Sequence, residues 1–279
     1  MVRPDLAGLA VYKMTGSGND FVMVDGRIAG RDAWTPTDIT AVCARGTGIG
    51  ADGLVIVSPG SQPGSARMTY FNSDGSPAAM CGNAALCATR LAARLGIAPA
   101  QGMRLETDAG AYDARCGPQD GRAELHLGHV SAPAAVPGLK LVRRERRAAL
   151  ATVGVPHLVV LVDDVDAIDL LGRGRALRFE PALDAAGANV NFVSPSDDPR
   201  AWRLRTYERG VEGETLACGT GSVAACCALQ EWGLAELPLT ILTRSGRRLG
   251  VRATRNSGQA YVDVWLEGEA RLVFRGVLA

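Results

Sequence analysis

The chain nearly repeats itself. Cys81-Gly82 and Cys218-Gly219 lie 137 residues apart, and the same offset sets Thr69-Tyr70 on Thr206-Tyr207. Around both Cys-Gly pairs the order is the same: an extended run, a Gly-containing loop, Cys-Gly, then an Ala-rich stretch. Asp20–Asp25 and Leu158–Asp163 fall at almost the same offset, as do Thr107 and Thr243. Self-similarity at a fixed spacing means one folding unit used twice. The 279 residues are enough for two domains of about 140 residues each. The reading is therefore two homologous α+β halves, 1–135 and 136–279, with the Pro- and Gly-rich stretch from Ser131 to Leu139 as the joint.

Within the halves, apolar or alternating runs predict strands at 10–13, 20–24, 54–58, 67–72, 103–107, 111–115 and 122–127. After the joint they recur at 158–162, 188–193, 201–208, 239–243 and 261–266. Helices are expected at 37–44, behind Thr-Pro-Thr-Asp capping chemistry, and from Gly82 to about Leu95 and Gly219 to about Trp232. The basic run Arg143 to Arg147 reads as a solvated face or linker.

Composition narrows the chemistry. Lys and Arg number 30 against 29 Asp and Glu, a net charge of +1 that gives no reason to expect nucleic acid. No apolar run is long enough for a membrane span, and residues 1–10, broken by Arg3, Pro4 and Asp5, do not read as a signal segment. A cytoplasmic protein is expected. Only Lys13 and Lys140 could form a Schiff base, and the three His residues, 126, 129 and 157, lack the spacing of a zinc site. Neither a cofactor nor a metal is expected. Seven cysteines, an odd number, argue against a disulfide framework.

Two of the seven stand apart. Cys81 and Cys218 each fall at or just before the first turn of a predicted helix, where unsatisfied N–H groups and the positive end of the helix dipole favour a thiolate. The small residues that follow leave those N–H groups open to a carboxylate. If the halves pack about a pseudo-twofold axis, the two thiols face each other across a cleft, a common place for a small ligand. Two acid/base groups on opposite sides of one carbon suit stereoinversion: one removes the α-proton and the other returns a proton from the far side. Cys43, Cys87, Cys116, Cys226 and Cys227 read as packing residues.

Six motifs in order carry a resemblance. They are Thr15 to Phe21, Gly46 to Gly53, Asn72 to Asn83, Pro156-His157, Asn189 to Phe192 and Tyr207 to Gly221. Together they resemble the diaminopimelate epimerase family over essentially the whole chain. The resemblance implies two barrel-like halves, each a sheet around a central helix, with the active site in the cleft between them. It implies a homodimer and a cofactor-independent epimerase that interconverts LL- and meso-diaminopimelate for lysine and cell-wall precursors. Cys81 and Cys218 match the catalytic positions, the first taken as base in the LL direction. Gly82, Asn83, Gly219 and Thr220 match backbone contacts to the reacting end's carboxylate. Asn19, Asn72, Asn189, Glu208 and Arg209 match substrate-binding positions, and His157 and Glu208 match positions that tune the thiols.

The chain departs from that pattern in three places. Val155 stands where many members have Asn, Gly53 where some have Gln, and the stretch Glu208 to Glu214 carries one extra residue. A related racemase of another amino acid, and a non-catalytic protein holding a small acid, are the alternatives. Gly48 to Gly53 fits Gly-x-Gly-x-x-Gly but leads into a strand instead of a helix, so a dinucleotide site is not expected.

Overall fold

The computed structural model of the chain describes residues 4–258 and 260–279. It divides into two units, residues up to His126 with Glu267–Ala279, and Leu127–Leu266.

The first unit opens with a hairpin of β1 (Ala10–Gly16) and β2 (Asn19–Asp25). Its two turn residues, Ser17 and Gly18, both take positive φ, the geometry that matches the twist of a tight hairpin. Next come α1 (Pro36–Cys43), β3 (Gly53–Pro59), β4 (Ala66–Asn72) and the two-residue β5 (Pro77–Ala78). The unit continues with α2 (Gly82–Arg94), β6 (Met103–Thr107), β7 (Gly110–Cys116) and the start of β8 (Arg122–Ser131), whose residues from Leu127 belong to the second unit. Helix α1 starts one residue ahead of the expected 37: Thr35 and Asp38 form a reciprocal capping box and Pro36 takes the first helical position.

The second unit repeats this order as β9 (Glu145–Val153), β10 (Val155–Val162), α3 (Leu170–Arg178), β11 (Asn189–Pro195), β12 (Ala201–Glu208) and β13 (Gly213–Thr215). It finishes with α4 (Gly219–Glu231), β14 (Leu239–Leu242), β15 (Arg248–Arg255) and β16 (Ala260–Glu269), of which the residues up to Leu266 belong to this unit. The ladders repeat as well. β1·β2, β2·β3, β3·β4, β4·β5, β4·β6 and β6·β7 run antiparallel, parallel, antiparallel, antiparallel, parallel and antiparallel. β9·β10 through β14·β15 follow the same sequence of senses.

Register corrects the overlay. Val22, Leu54 and Phe71 sit side by side across three strands, and Leu158, Val190 and Tyr207 do the same. Each matched pair is 136 residues apart, and each trio packs in the equivalent core, against α1 in one unit and α3 in the other. A shift of 137 would turn every side chain to the opposite face, so the match of Thr69-Tyr70 to Thr206-Tyr207 does not survive. Tyr70 corresponds to Thr206, Asn72 to Glu208, Gly53 to Asn189 and Phe21 to His157. The extra residue lies in the turn from Glu208 to Gly213, where Gly210 and Glu212 take positive φ, and from β5 and β13 onward through the helices the offset is 137.

Helices α2 and α4 are the centre of each unit. α2 touches β1, β2, β3, β4, β6 and β7, and α4 touches β9, β10, β11, β14 and β15. A helix ringed by strands is buried on all sides, which is why Ala84, Ala85, Cys87, Ala88 and Ala92, and Val223 through Leu229, are fully covered. Small side chains let the strands close in. Both helices end at a glycine with positive φ, Gly96 and Gly233.

Three expectations shift. The division falls at His126 instead of residue 135, ahead of the Ser131–Leu139 stretch, and residues 267–279 belong to the first unit because β17 (Arg271–Val277) pairs antiparallel with β1. The basic run is half strand: Glu145, Arg146 and Arg147 open β9, with Glu145 buried and gripped by Arg173 at 2.7 and 2.8 Å. Strands β5, β9, β13, β15 and β17 and helix α3 went unforeseen, α3 because Gly172, Gly174 and three arginines leave Leu170 and Leu177 as its buried apolar stripe.

Candidate active site

In the first unit the expected residues gather around the start of α2. Cys81 is the N-cap, with φ −141° and ψ 120°, and its carbonyl accepts the first helical hydrogen bond from Ala85 at 2.9 Å. The N–H groups of Gly82 and Asn83 therefore belong to the set a helix leaves without intrahelical partners. A Cβ on Gly16 would lie 2.7 Å from the Asn83 carbonyl oxygen and 3.0 Å from Cys87 Sγ, so the hairpin motif needs glycine there for α2 to approach. Asn83 Nδ2 donates to Asn19 Oδ1 at 2.7 Å, and Asn19 Nδ2 donates to Asp52 Oδ2 at 2.9 Å. Asn72 closes the turn to β5, its Nδ2 donating to Ser76 Oγ at 3.0 Å and its N–H to the Ser76 carbonyl at 2.9 Å.

In the second unit Cys218 caps α4, and here the sulfur accepts the Gly221 N–H at 3.4 Å, with Thr220 Oγ1 at 3.8 Å. A sulfur at this position has a donor for the charge it acquires on deprotonation. Asn189 Oδ1 accepts the Arg209 N–H at 2.7 Å, fixing the turn after β12. Among the described residues the Arg209 guanidinium has no carboxylate partner, which leaves a bidentate fork for an acid. Burial pushes the Glu208 carboxyl above its ordinary range, with the Thr215 hydroxyl pulling the other way.

His157 is fully buried, and burial, with the nearby Arg209 charge, pushes it down to about 3. It is a neutral imidazole near pH 7, so any influence on a thiol comes through a hydrogen bond or dipole. Its Nδ1 lies 3.3 Å from Asn191 Nδ2. Asn191 Oδ1 accepts the Thr206 hydroxyl at 2.9 Å, which turns Nδ2 toward the imidazole as donor and places the ring proton on Nε2.

Several of these groups carried no expected role: Asp52 and Arg45 behind Asn19, Asn191 and Thr206 behind His157, and Tyr70. Period two was the signal available, since Asn191 shares a strand face with Asn189 and Tyr70 with Asn72. The equivalent layer of the first unit is Phe21, Val55 and Tyr70, where Tyr70 meets Phe21 edge-on at 6.0 Å. The two halves thus share a frame and differ in the layer beneath the site, aromatic in one and hydrogen-bonded in the other.

One family model, diaminopimelate epimerase, matches the chain in two segments, 11–132 and 149–272. The chain belongs to the diaminopimelate epimerase family. It is 46% identical to a diaminopimelate epimerase of Gemmatimonas aurantiaca over 97% of this chain and 99% of that one. It is 38% identical to one of Aquifex aeolicus over 96% and 97%. Among solved structures, a hydroxyproline epimerase of Agrobacterium vitis with bound trans-4-hydroxy-L-proline aligns with a TM-score of 0.67 at 18% identity, over 97% of this chain and 92% of that one. A PhzF-family phenazine biosynthesis protein of Bacillus anthracis aligns at 0.70 and 15% identity, over 97% and 99%. At these identities the structures share the fold. The split of the family match into two segments agrees with the doubled order of strand pairings. No helix among the described residues is long and apolar enough to cross a membrane.

Proposed function

We propose that this member of the diaminopimelate epimerase family interconverts LL- and meso-diaminopimelate without a cofactor, using Cys81 and Cys218 as the two acid/base groups. The observation that carries the reading is a repeated placement. Both cysteines occupy the N-cap of the central helix, directly before Gly82 and Gly219, in two units built by the same series of strand pairings. In the LL direction the Cys81 thiolate takes the α-proton and becomes a thiol. The Cys218 thiol gives its proton to the opposite face of the same carbon and becomes a thiolate, so configuration inverts and no atom is gained or lost. The negative charge that spreads into the α-carboxylate is held by the N–H groups of Gly82, Asn83, Gly219 and Thr220. Arg209 takes the distal carboxylate; Asn19, Asn72, Asn189 and Glu208 supply the acceptors and donors for the rest. The enzyme serves lysine and cell-wall precursor synthesis in the cytoplasm as a homodimer.

The test is exchange of the α-proton of LL-diaminopimelate for deuterium with no cofactor added, together with the appearance of the meso isomer. Cys81→Ala and Cys218→Ala should each lower epimerisation by about 10²- to 10⁴-fold, the usual worth of a positioned acid or base. Wild-type rates in both variants would overturn the reading. Val155, which corresponds to Asn19 in the repeat, is apolar and favours a second reading, racemisation of another amino acid. A preference for an ordinary L-amino acid over LL-diaminopimelate would select it.

A further inference from the structure

The start of α2 is tied to the loop between α1 and β3 by a one-way chain of amides. Asn83 Nδ2 donates to Asn19 Oδ1 and Asn19 Nδ2 donates to Asp52 Oδ2. A carboxylate only accepts, so Asp52 is the fixed end. Turning Asn19 over would set its amide oxygen against a carboxylate oxygen, and Asn83 would have to turn with it. The cost of the imposed direction is visible at the other end: Asn83 is 3% exposed and its Oδ1 has no hydrogen-bond partner among the described residues, an arrangement that folded proteins avoid unless something enforces it.

Asp52 is itself held from several sides. Arg45 Nη2 reaches Asp52 Oδ1 at 2.8 Å and Asp20 Oδ1 at 2.6 Å, while the Asp20 N–H donates to Asp52 Oδ2 at 3.1 Å. Lys13, 8% exposed, closes the cluster on Asp20 Oδ2 at 2.5 Å and on the Gly50 carbonyl. Arg45 and Lys13 hold the Asp20 carboxyl below its ordinary range against the effect of its burial. The Asp52 backbone joins in, its carbonyl accepting the Ser73 N–H at 3.1 Å beside Asn72. One acidic residue thus fixes Asn19 directly, Asn83 through Asn19, and the turn after Asn72.

We infer that Asp52 is a positioning residue for the epimerisation proposed above, on which this inference rests: its carboxylate sets the direction of the Asn19–Asn83 amide pair and so holds the first turn of α2 beside Cys81 in one arrangement. Asp52→Asn can donate as well as accept, and lets the pair take both directions. In the full-length protein the kcat/KM for LL-diaminopimelate should fall by about 10- to 100-fold in Asp52→Asn, the range seen when a group that orients a primary ligand is lost. In an Asn83→Ala background, where the handle is gone, the same substitution should change kcat/KM by less than about threefold, a coupled cycle. The side-chain NH₂ signals of Asn19 and Asn83, single in the wild type, should double in Asp52→Asn. An equal fall in both backgrounds, or single amide signals in Asp52→Asn, would overturn the inference. If the wild type epimerises nothing, the functional reading fails while the amide signals still decide whether Asp52 sets the pair.

Discussion

A Cβ on Gly53 would lie 2.6 Å from Cε2 of Tyr70 and 2.3 Å from the Phe71 carbonyl oxygen. The Tyr70 ring occupies the space above residue 53, so its aromatic neighbour requires glycine there. Gly53→Ala should destabilise the protein by about 1–3 kcal/mol, the usual cost of forcing atoms into a filled core. Tyr70→Ala removes the ring contact but leaves the Phe71 carbonyl in place, so the double variant should remain less stable than Tyr70→Ala alone. Urea unfolding measures both differences; a Gly53→Ala midpoint equal to wild type would show that the strands give way without strain.

The burial of His157 beside the Arg209 charge has a consequence for acid stability. An ordinary histidine protonates near 6.5 and His157 is held down to about 3, so between those values the unfolded chain binds a proton that the folded one refuses. The stability that His157 contributes as a neutral group is complete above pH 6.5 and is lost as pH falls toward 3, on the order of several kcal/mol across the window. Urea midpoints should therefore drop steeply from pH 6.5 to 4. His157→Gln keeps a hydrogen-bonding side chain that cannot titrate and should flatten this part of the curve. An unchanged slope in the variant would place the acid sensitivity elsewhere.

Burial also separates the cysteines by reactivity. It pushes Cys43 up to about 11 and Cys227 up to about 12, raises Cys116, and holds Cys87 and Cys226 well above the usual thiol range. Half-buried Cys81, at a helix N-terminus, should react with iodoacetamide at pH 7.5 ahead of all five, and peptide mass spectrometry at partial labelling reads the order. Labelling of Cys43 or Cys227 as early as Cys81 would break the division of the cysteines into a working pair and five packers.

Much of this was legible because the strands are short, apolar and bounded by glycine. The central helices were legible because Cys-Gly followed by alanines has few other uses. What escaped the sequence depends on register. The overlay of Tyr70 on Tyr207 pairs identical letters, yet ladder register and core packing put Phe71 opposite Tyr207, and only then do Asn72 and Glu208 correspond. The supporting groups were hidden for a related reason: Asp52 acts on Asn19 from 33 positions away, and nothing in a linear motif tells a solvent-facing aspartate from one that sets an amide. Strand β17 was unreadable as part of the first unit, since its partner β1 lies at the other end of the chain.

The halves differ at one further point, the third residue of the central helix, which is Ala84 in α2 and Gly221 in α4. A Cβ on Gly221 would lie 2.2 Å from Asn191 Oδ1 and 3.1 Å from Cys218 Sγ. Gly221→Ala therefore presses on the amide that holds both Thr206 and His157, and it displaces the N–H that donates to the Cys218 sulfur. The helix itself favours alanine over glycine by roughly 0.5–1 kcal/mol, so a change confined to helix propensity would stabilise the variant. The close contacts predict the opposite: a lower melting temperature, slower alkylation of Cys218 and a kcat reduced by about 10-fold or more, since a lost donor to a developing charge costs more than its share of stability. Ala84→Gly in α2 should lose the propensity difference and the packing of one buried methyl, and leave Cys81 alkylation unchanged. If Gly221→Ala is more stable than wild type and its Cys218 reacts at the same rate, the close approach of α4 to Asn191 is not what glycine serves there.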